Sequence, residues 1–587
     1  MNSTNSGNLP RPEYPRPDFR RDAWLNLNGL WDFRFDNYDL GESERWYLGE
    51  KDFDKKILVP FPFQSKLSGI HDESFHDIVW YRREFSIPED WKGRRILLHF
   101  GAVDYETKVW LNKRFLGSNV GGYVPFYFDI TDYLKERNLL ILRVYDPHGD
   151  QPRGKQSSKL HPSGVHYMRI TGIWQTVWLE PVGDAYLTSC RVITDIEKAK
   201  VTIQTNLKGK AEGCNLSASI YFASNEEGKA EKRIEANSAQ LEISLPRVKL
   251  WSPEIPDLYD IEFTVSKNGE ILDKVKSYFG MRKVSVKNGK FLLNNEPYYL
   301  KMALDQGYYP DGLYTAPSDD DLRKDVEAAK LLGLNGVRKH QIASDPRYLY
   351  WCDKLGLLVW GEMADWGMPL KMKNVFWEEW KRVIERDFNH PCIVVWVPFN
   401  ERWEAYEDRE CQEVLVEIYR KTKALDPTRL VIDTSGYAHT ETDIVDTHEY
   451  VWKRGSDFRE KWKMPQEYKD PSKRPRPPFA KGFNYKGQPI IISEWGGYEI
   501  DKFKPIVDRP IKPRRHTVED EYIFISLYRD VVEAIIDEPA ISGFCYTQLY
   551  DVEGEVNGFL TYDRKWKIPP EKIAEIHRKI GATMHIT

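Results

Sequence analysis

Two short apolar runs in the second half of the chain each lead into a glutamate. They are Ile393-Val394-Val395-Trp396-Val397-Pro398-Phe399-Asn400-Glu401 and Ile490-Ile491-Ile492-Ser493-Glu494-Trp495. Unbroken apolar runs of this length are the mark of parallel strands covered on both faces. A carboxylate at the C-terminal end of such a strand stands where barrels of alternating strands and helices place their chemistry. Two carboxylates facing one pocket are the equipment of glycosidic-bond hydrolysis, one protonating the departing oxygen while the other attacks or supports the anomeric carbon. A single strand-end glutamate also reads as half of a buried ion pair; two in matching contexts favour the chemistry.

The elements needed to hold them are visible around both runs. After Met281 the pattern alternates strand and helix. Tyr298–Met302, Asn335–Lys339, Leu357–Trp360, the Glu401 run, Leu430–Asp433, Ile444–Thr447, the Glu494 run and Gly543–Thr547 supply eight strands. Between them, Ser318 with Asp321 three residues on predicts a capped helix start. Leu322, Val326, Ala329 and Leu332 form its apolar face. Further helices are expected over Asp345–Leu355 and Val375–Phe388. Eight such units fit a (β/α)8 TIM barrel over residues 281–587, with a basic, proline-containing insertion from Trp452 to Lys486 that would follow the sixth strand and serve as a pocket wall or a solvated loop.

Residues 1–182 read instead as short strands separated by turns such as Asn112-Lys113 and Gly121-Gly122, which predicts a β-sandwich. Residues 183–280 alternate polar and apolar, as in Val201-Thr202-Ile203-Gln204-Thr205. Their extent suits an immunoglobulin-like module of about 100 residues.

Composition narrows the class. The 587 residues exceed what one core organises. A net charge of −5 offers no basic face for nucleic acid. No segment has the length and apolarity of a membrane span, and the N-terminus carries no signal-peptide pattern, so a cytoplasmic location is the expectation. The six cysteines show no paired spacing and read as reduced and structural. Aromatic residues make up 13% of the chain, explained first by β packing and second by stacking on sugars.

Five motifs in order resemble glycoside hydrolase family 2, the group of β-galactosidases, β-glucuronidases and β-mannosidases. They are Trp24-Leu25-Asn26-Leu27-Asn28-Gly29-Leu30-Trp31, Gly172-Ile173-Trp174-Gln175-Thr176-Val177-Trp178, Leu250-Trp251-Ser252-Pro253, Asn400-Glu401 and Ser493-Glu494. The resemblance implies an N-terminal jelly-roll sugar-binding-like sandwich, an immunoglobulin-like sandwich and a catalytic barrel. It makes Glu401 the general acid/base and Glu494 the nucleophile of a retaining reaction, with carboxyls about 5–5.5 Å apart. The charge on Glu494, with burial against Trp396 or Trp495, is expected to raise the pKa of Glu401.

Further site residues follow from the same resemblance. Asn400 would bind the sugar 2-hydroxyl, Arg338 would orient Glu494, and Tyr450 would hydrogen-bond it. His340, Asp305, Trp360, His448, Trp495, Tyr546 and Gln548 are candidate substrate contacts. Three departures matter. Thr547 stands where the family carries a tryptophan four residues before an aspartate, here Asp551. Glu362-Met363-Ala364 lacks the histidine of the family's metal motif, so no metal or other cofactor is expected. Asn557-Gly558-Phe559 precedes Thr561-Tyr562-Asp563-Arg564 without the lysine that glucuronidases use for the sugar carboxylate, while Asn484-Tyr485-Lys486 lies before strand seven.

The expectation is thus a retaining exo-β-glycosidase, β-galactosidase-like. The alternatives are β-glucuronidase, β-mannosidase or β-galactofuranosidase specificity, or a non-catalytic carbohydrate-binding protein. The partner expected is an oligosaccharide or glycoside, and the resemblance raises a homodimer through the first domain.

Overall fold

A computed structural model describes residues 9–366, 368–450, 454–461, 477–503 and 516–584. The first sandwich sets a six-stranded antiparallel sheet, with Ile78–Phe85 and Asn138–Tyr145 at its centre, against a four-stranded sheet built on Arg95–Phe100 and Val177–Val182. Phe33, Tyr81, Val109, Leu98 and Leu179 fill the space between them. The second sandwich pairs three strands with four, between Ala185–Asp195 and Glu270–Phe279. Its alternating residues turn inward as expected: Val201, Ile203 and Thr205 are buried, while Gln204 is exposed.

The barrel strands are β1 (Leu300–Asp305), β2 (Gly336–Lys339), β3 (Leu358–Glu362), β4 (Ile393–Val397), β5 (Leu430–Val431), β6 (Val445–Glu449), β7 (Ile490–Gly496) and β8 (Ile541–Thr547). All eight lie parallel in one sheet, in the order β5-β4-β3-β2-β1-β8-β7-β6. The seam between β5 and β6 is made without a strand ladder. Asp443 N donates to Val431 O at 2.9 Å, and Val431 N donates to the Asp443 carboxylate at 2.8 Å.

The helices are α1 (Asp319–Leu331), α2 (Pro346–Leu355), α3 (Lys373–Asp387), α4 (Arg409–Leu425), α5 (Gly455–Lys461), α6 (Glu521–Ile536) and α7 (Pro570–Met584). The Ser318 cap forms, its hydroxyl accepting from Asp321 N. Two expected strands are displaced. Tyr298 and Tyr299 precede β1, which runs on to Asp305. The fifth strand stops at Val431 because Asp433 turns its carboxylate to His439 and Thr440. Helix α3 docks on the first sandwich, where Glu379 accepts from Tyr123 N at 2.9 Å and Arg386 donates to Tyr123 O at 2.9 Å.

All six cysteines are buried and unpaired. Among the described residues no helix is long and apolar enough to cross a membrane. Much of the expected insertion, residues 452–453 and 462–476, lies outside the described residues; of the described parts, 454–461 and 477–486, the first holds α5, which bonds to Asp530 of α6.

Candidate active site

Arg338, in β2, is the hub. It is fully buried, and its guanidinium donates to Glu362, to Glu494 Oε1 at 2.8 Å, to Ser493 O at 3.2 Å and to Asn400 Oδ1 at 2.6 Å. One planar fork thereby ties β2, β3, β7 and the segment just past β4 together, which a lysine could not do. Tyr450, just past β6, donates to Glu494 Oε2 at 2.6 Å. Burial raises the pKa of Glu494, but the charges of His448 and Arg338 outweigh it, so the carboxyl titrates below its ordinary value.

Glu401 stands across from it. Its backbone adopts φ of 53°, and its N–H donates to Ser435 O at 2.9 Å. A non-glycine residue held left-handed at a strand end is an outlier of the kind concentrated at functional sites. His448 Nδ1 lies 2.7 Å from Glu401 Oε1. Burial again pushes the carboxyl up; the hydrogen bond and charge of His448, then Lys155 and Arg338, pull it below its ordinary value. This reverses the expected direction for Glu401. The tryptophans invoked for it face elsewhere: Trp396 donates to Asp426 and packs on Trp380, and Trp495 packs on Tyr528, Phe544 and Tyr546.

Donor atoms of Glu401, His448 and Glu494 all lie within 4.8 Å of one another. Such a trio resembles a cation site. However, the Arg338 guanidinium sits against Glu494 and 3.2 Å from His448 Nε2, a fixed positive charge that opposes a second cation there.

The cavity holding these groups has a volume of about 320 Å³. Asn400, Glu401, His340, Tyr450 and Glu494, all candidates from the sequence, line it. Asn400 Nδ2 is buried without a partner, a donor left for a ligand. His340 bonds Glu362 through Nδ1 at 2.8 Å, and burial with the charges of Lys155 and Arg338 keeps its ring neutral.

Other candidates are not on the wall. Asp305 is fully buried, its carboxylate accepting from Lys339, Tyr348 and Tyr550, which leaves no oxygen for a sugar hydroxyl. Trp495 and Tyr546 pack against α6, Trp495 on Tyr528 and Tyr546 on Phe524 and Tyr528, Trp360 is fully buried, and Gln548 is buried, accepting from Gln306. His448 is buried behind the two glutamates and supports both rather than facing the cavity.

The wall also holds residues that sequence reasoning missed. Trp403 stacks on Tyr437 at 4.1 Å, and Trp366 follows β3. Their positions in loops after strand ends could have announced them. Lys155, Gly164 and Val165 arrive from the first sandwich, and no local signal marks them.

Comparisons with known proteins agree with this architecture. The family model for the sugar binding domain of glycosyl hydrolases family 2 matches residues 25–180. The model described as glycosyl hydrolases family 2 matches residues 185–282, and that for the family's TIM barrel domain matches 284–502. A β-galactosidase of Thermoanaerobacter pseudethanolicus is 30% identical over 425 residues, covering 69% of this chain and 55% of that one. The β-glucuronidase of Rattus norvegicus is 27% identical over 454 residues, covering 69% and 67%. The chain therefore spans about half the length of the first of these relatives. A Bifidobacterium dentium β-glucuronidase, solved with coumarin-3-O-glucuronide, shares the fold with a TM-score of 0.79 at 21% identity, over 95% of this chain and 98% of that one.

Proposed function

The chain belongs to the glycosyl hydrolases of family 2, and on that premise we propose that it is a retaining exo-β-glycosidase, with Glu401 as general acid/base and Glu494 as nucleophile. The carrying observation is the approach of the two carboxylates, whose donor oxygens lie within 4.8 Å. Retaining glycosidases hold their carboxyls about 5–5.5 Å apart, whereas inverting ones leave about 6.5–9.5 Å for a water.

The chemistry follows from the contacts. Arg338, His448 and Tyr450 keep Glu494 ionised and aimed, so it can attack the anomeric carbon. As the glycosyl–Glu494 ester forms, the glycosidic bond breaks and the departing oxygen takes the proton of Glu401. Esterification removes the charge of Glu494, which had favoured protonation of Glu401. Glu401 is then free to act as base, taking a proton from the water that attacks the same carbon and releases Glu494. Asn400 Nδ2 is the donor for the sugar 2-hydroxyl, and Trp403 with Tyr437 gives an aromatic wall for the leaving group. The cavity, at the low end of the roughly 300–1,000 Å³ usual for ligand pockets, suits one terminal sugar.

For the sugar, a β-galactosidase-like reading is supported by a relative of that name and by the lack of a lysine beside Asn557. A β-glucuronidase reading is supported by the relatives and fold neighbours so named.

The test is hydrolysis of a nitrophenyl β-glycoside panel (galactoside, glucuronide, mannoside, glucoside, galactofuranoside) by the wild type, Glu401→Gln and Glu494→Gln. One sugar cleaved, with loss of activity in both variants, is the expected result. Undiminished turnover in either variant would remove the assignment.

A further inference from the structure

Lys155 enters the cavity from the first sandwich and is only 6% exposed. Its ammonium lies 4.4 Å from the centroid of the Trp366 ring. Among the described residues it has no hydrogen-bond acceptor and no carboxylate within 4.0 Å. The carboxylates nearest the chemistry are already engaged, Glu494 with Arg338 and Tyr450, Glu401 with His448. Of the others on the wall, Glu555 accepts from the Tyr167 hydroxyl. An ammonium taken out of water with no carboxylate in contact is unfavourable.

The loop that carries Lys155 is built to hold it there. Gly154 N donates to Ala364 O of the barrel at 3.2 Å, and Tyr167 N donates to Lys155 O at 2.9 Å. Gly154 has φ of 58°, and a Cβ at that position would lie 2.1 Å from Gln341 O, so only glycine permits the approach. Farther along, Met168 N donates to Glu553 at 2.8 Å and Tyr167 to Glu555. A cation fixed so firmly in the cavity that the partnerless amide Asn400 Nδ2 also lines is a place for a ligand's negative charge.

We propose that Lys155 is a specificity residue of this pocket and that the sugar it accepts is acidic, with a carboxylate or sulfate ester seated on the Lys155 ammonium. This rests on the reading of the cavity as the sugar site. Both anions offer oxygens to a point charge, which is how lysine binds them. The bound anion also offsets one of the positive charges acting on Glu401 and so favours the protonated acid that the first step needs.

Calorimetric titration decides it, using galacturonate, glucuronate, galactose 6-sulfate, galactose and glucose against the wild type, Lys155→Met and Lys155→Arg. The expected result is at least tenfold tighter binding of one acidic sugar than of its neutral counterpart. That ratio collapses in Lys155→Met and is largely retained in Lys155→Arg. Preference for the uronates or for the sulfate identifies the anion. Equal binding of acidic and neutral sugars, or a preference that survives in Lys155→Met, overturns the proposal. Turnover is read separately on nitrophenyl glycosides. Selective binding through Lys155 without hydrolysis sinks the catalytic reading alone, and hydrolysis without acidic preference sinks the anion site alone.

Discussion

The imidazole of His448 contacts Glu401 through Nδ1 at 2.7 Å, while its other nitrogen lies 3.3 Å from Glu494. After burial, this hydrogen bond is the largest influence on Glu401, and it lowers the pKa. With Glu401 as the proposed acid, activity in the free enzyme requires it protonated and is lost as pH rises through its pKa. In His448→Asn the lowering contact goes, the pKa rises, and the alkaline limb of the kcat/KM profile moves to higher pH. A loss of about 10²-fold in kcat/KM accompanies it, the low end of acid–base contributions. An alkaline limb that stays in place would refute the coupling.

The roles of the two glutamates are separable by the anomer formed with azide. Glu494→Ala opens the face on which the nucleophile sits, so azide should yield the α-glycosyl azide from a β-glycoside. Glu401→Ala still forms the glycosyl ester with an activated leaving group, and azide should then give the β-glycosyl azide, with an unrescued loss of roughly 10²–10⁴-fold. Exchanged anomers would exchange the assignments.

Asn400 presents Nδ2 to the cavity while Arg338 holds its carbonyl oxygen. Contacts to the 2-hydroxyl strengthen in the transition state by several kcal/mol, so Asn400→Ala should lower kcat/KM roughly 10²–10³-fold on an ordinary glycoside. On the 2-deoxy glycoside the same substitution should cost far less. Equal losses on both substrates would mean that Asn400 acts only by holding Arg338.

Away from the cavity, Glu379 of α3 is buried against the first sandwich, and burial pushes its pKa up to about 7 from 4.5. A carboxyl raised on folding adds stability that is fully present below its unfolded pKa and is lost as pH climbs through the folded one. Between pH 4.5 and 7 the wild type should therefore lose up to about 3 kcal/mol that Glu379→Gln keeps. Denaturant unfolding at pH 5 and pH 8 checks this, and parallel pH dependence in the two proteins would contradict it.

The sequence was most informative where chemistry follows from strand direction. Glu401, Glu494, Arg338 and Tyr450 each lie at or near the C-terminal end of a barrel strand, and the parallel arrangement alone brings such ends together. It was least informative about which way a strand residue points. Trp495 adjoins Glu494 in the same run, yet the pleat turns it away from the site, onto Tyr528 of α6. Asp305 looked free for a hydroxyl until Lys339, Tyr348 and Tyr550 closed around it from three other segments. Lys155 depends wholly on how one domain docks on another, which no local pattern encodes.

The bond between Tyr167 and Glu555 spans 388 residues of chain. The ribosome therefore delivers one side of the cavity 388 residues before the opposing side. A nascent chain has both sandwiches and most of the barrel long before it has a closed sugar site. Truncation before Glu555 would therefore leave the Tyr167 side without its anchor, although Glu401 and Glu494 are already made.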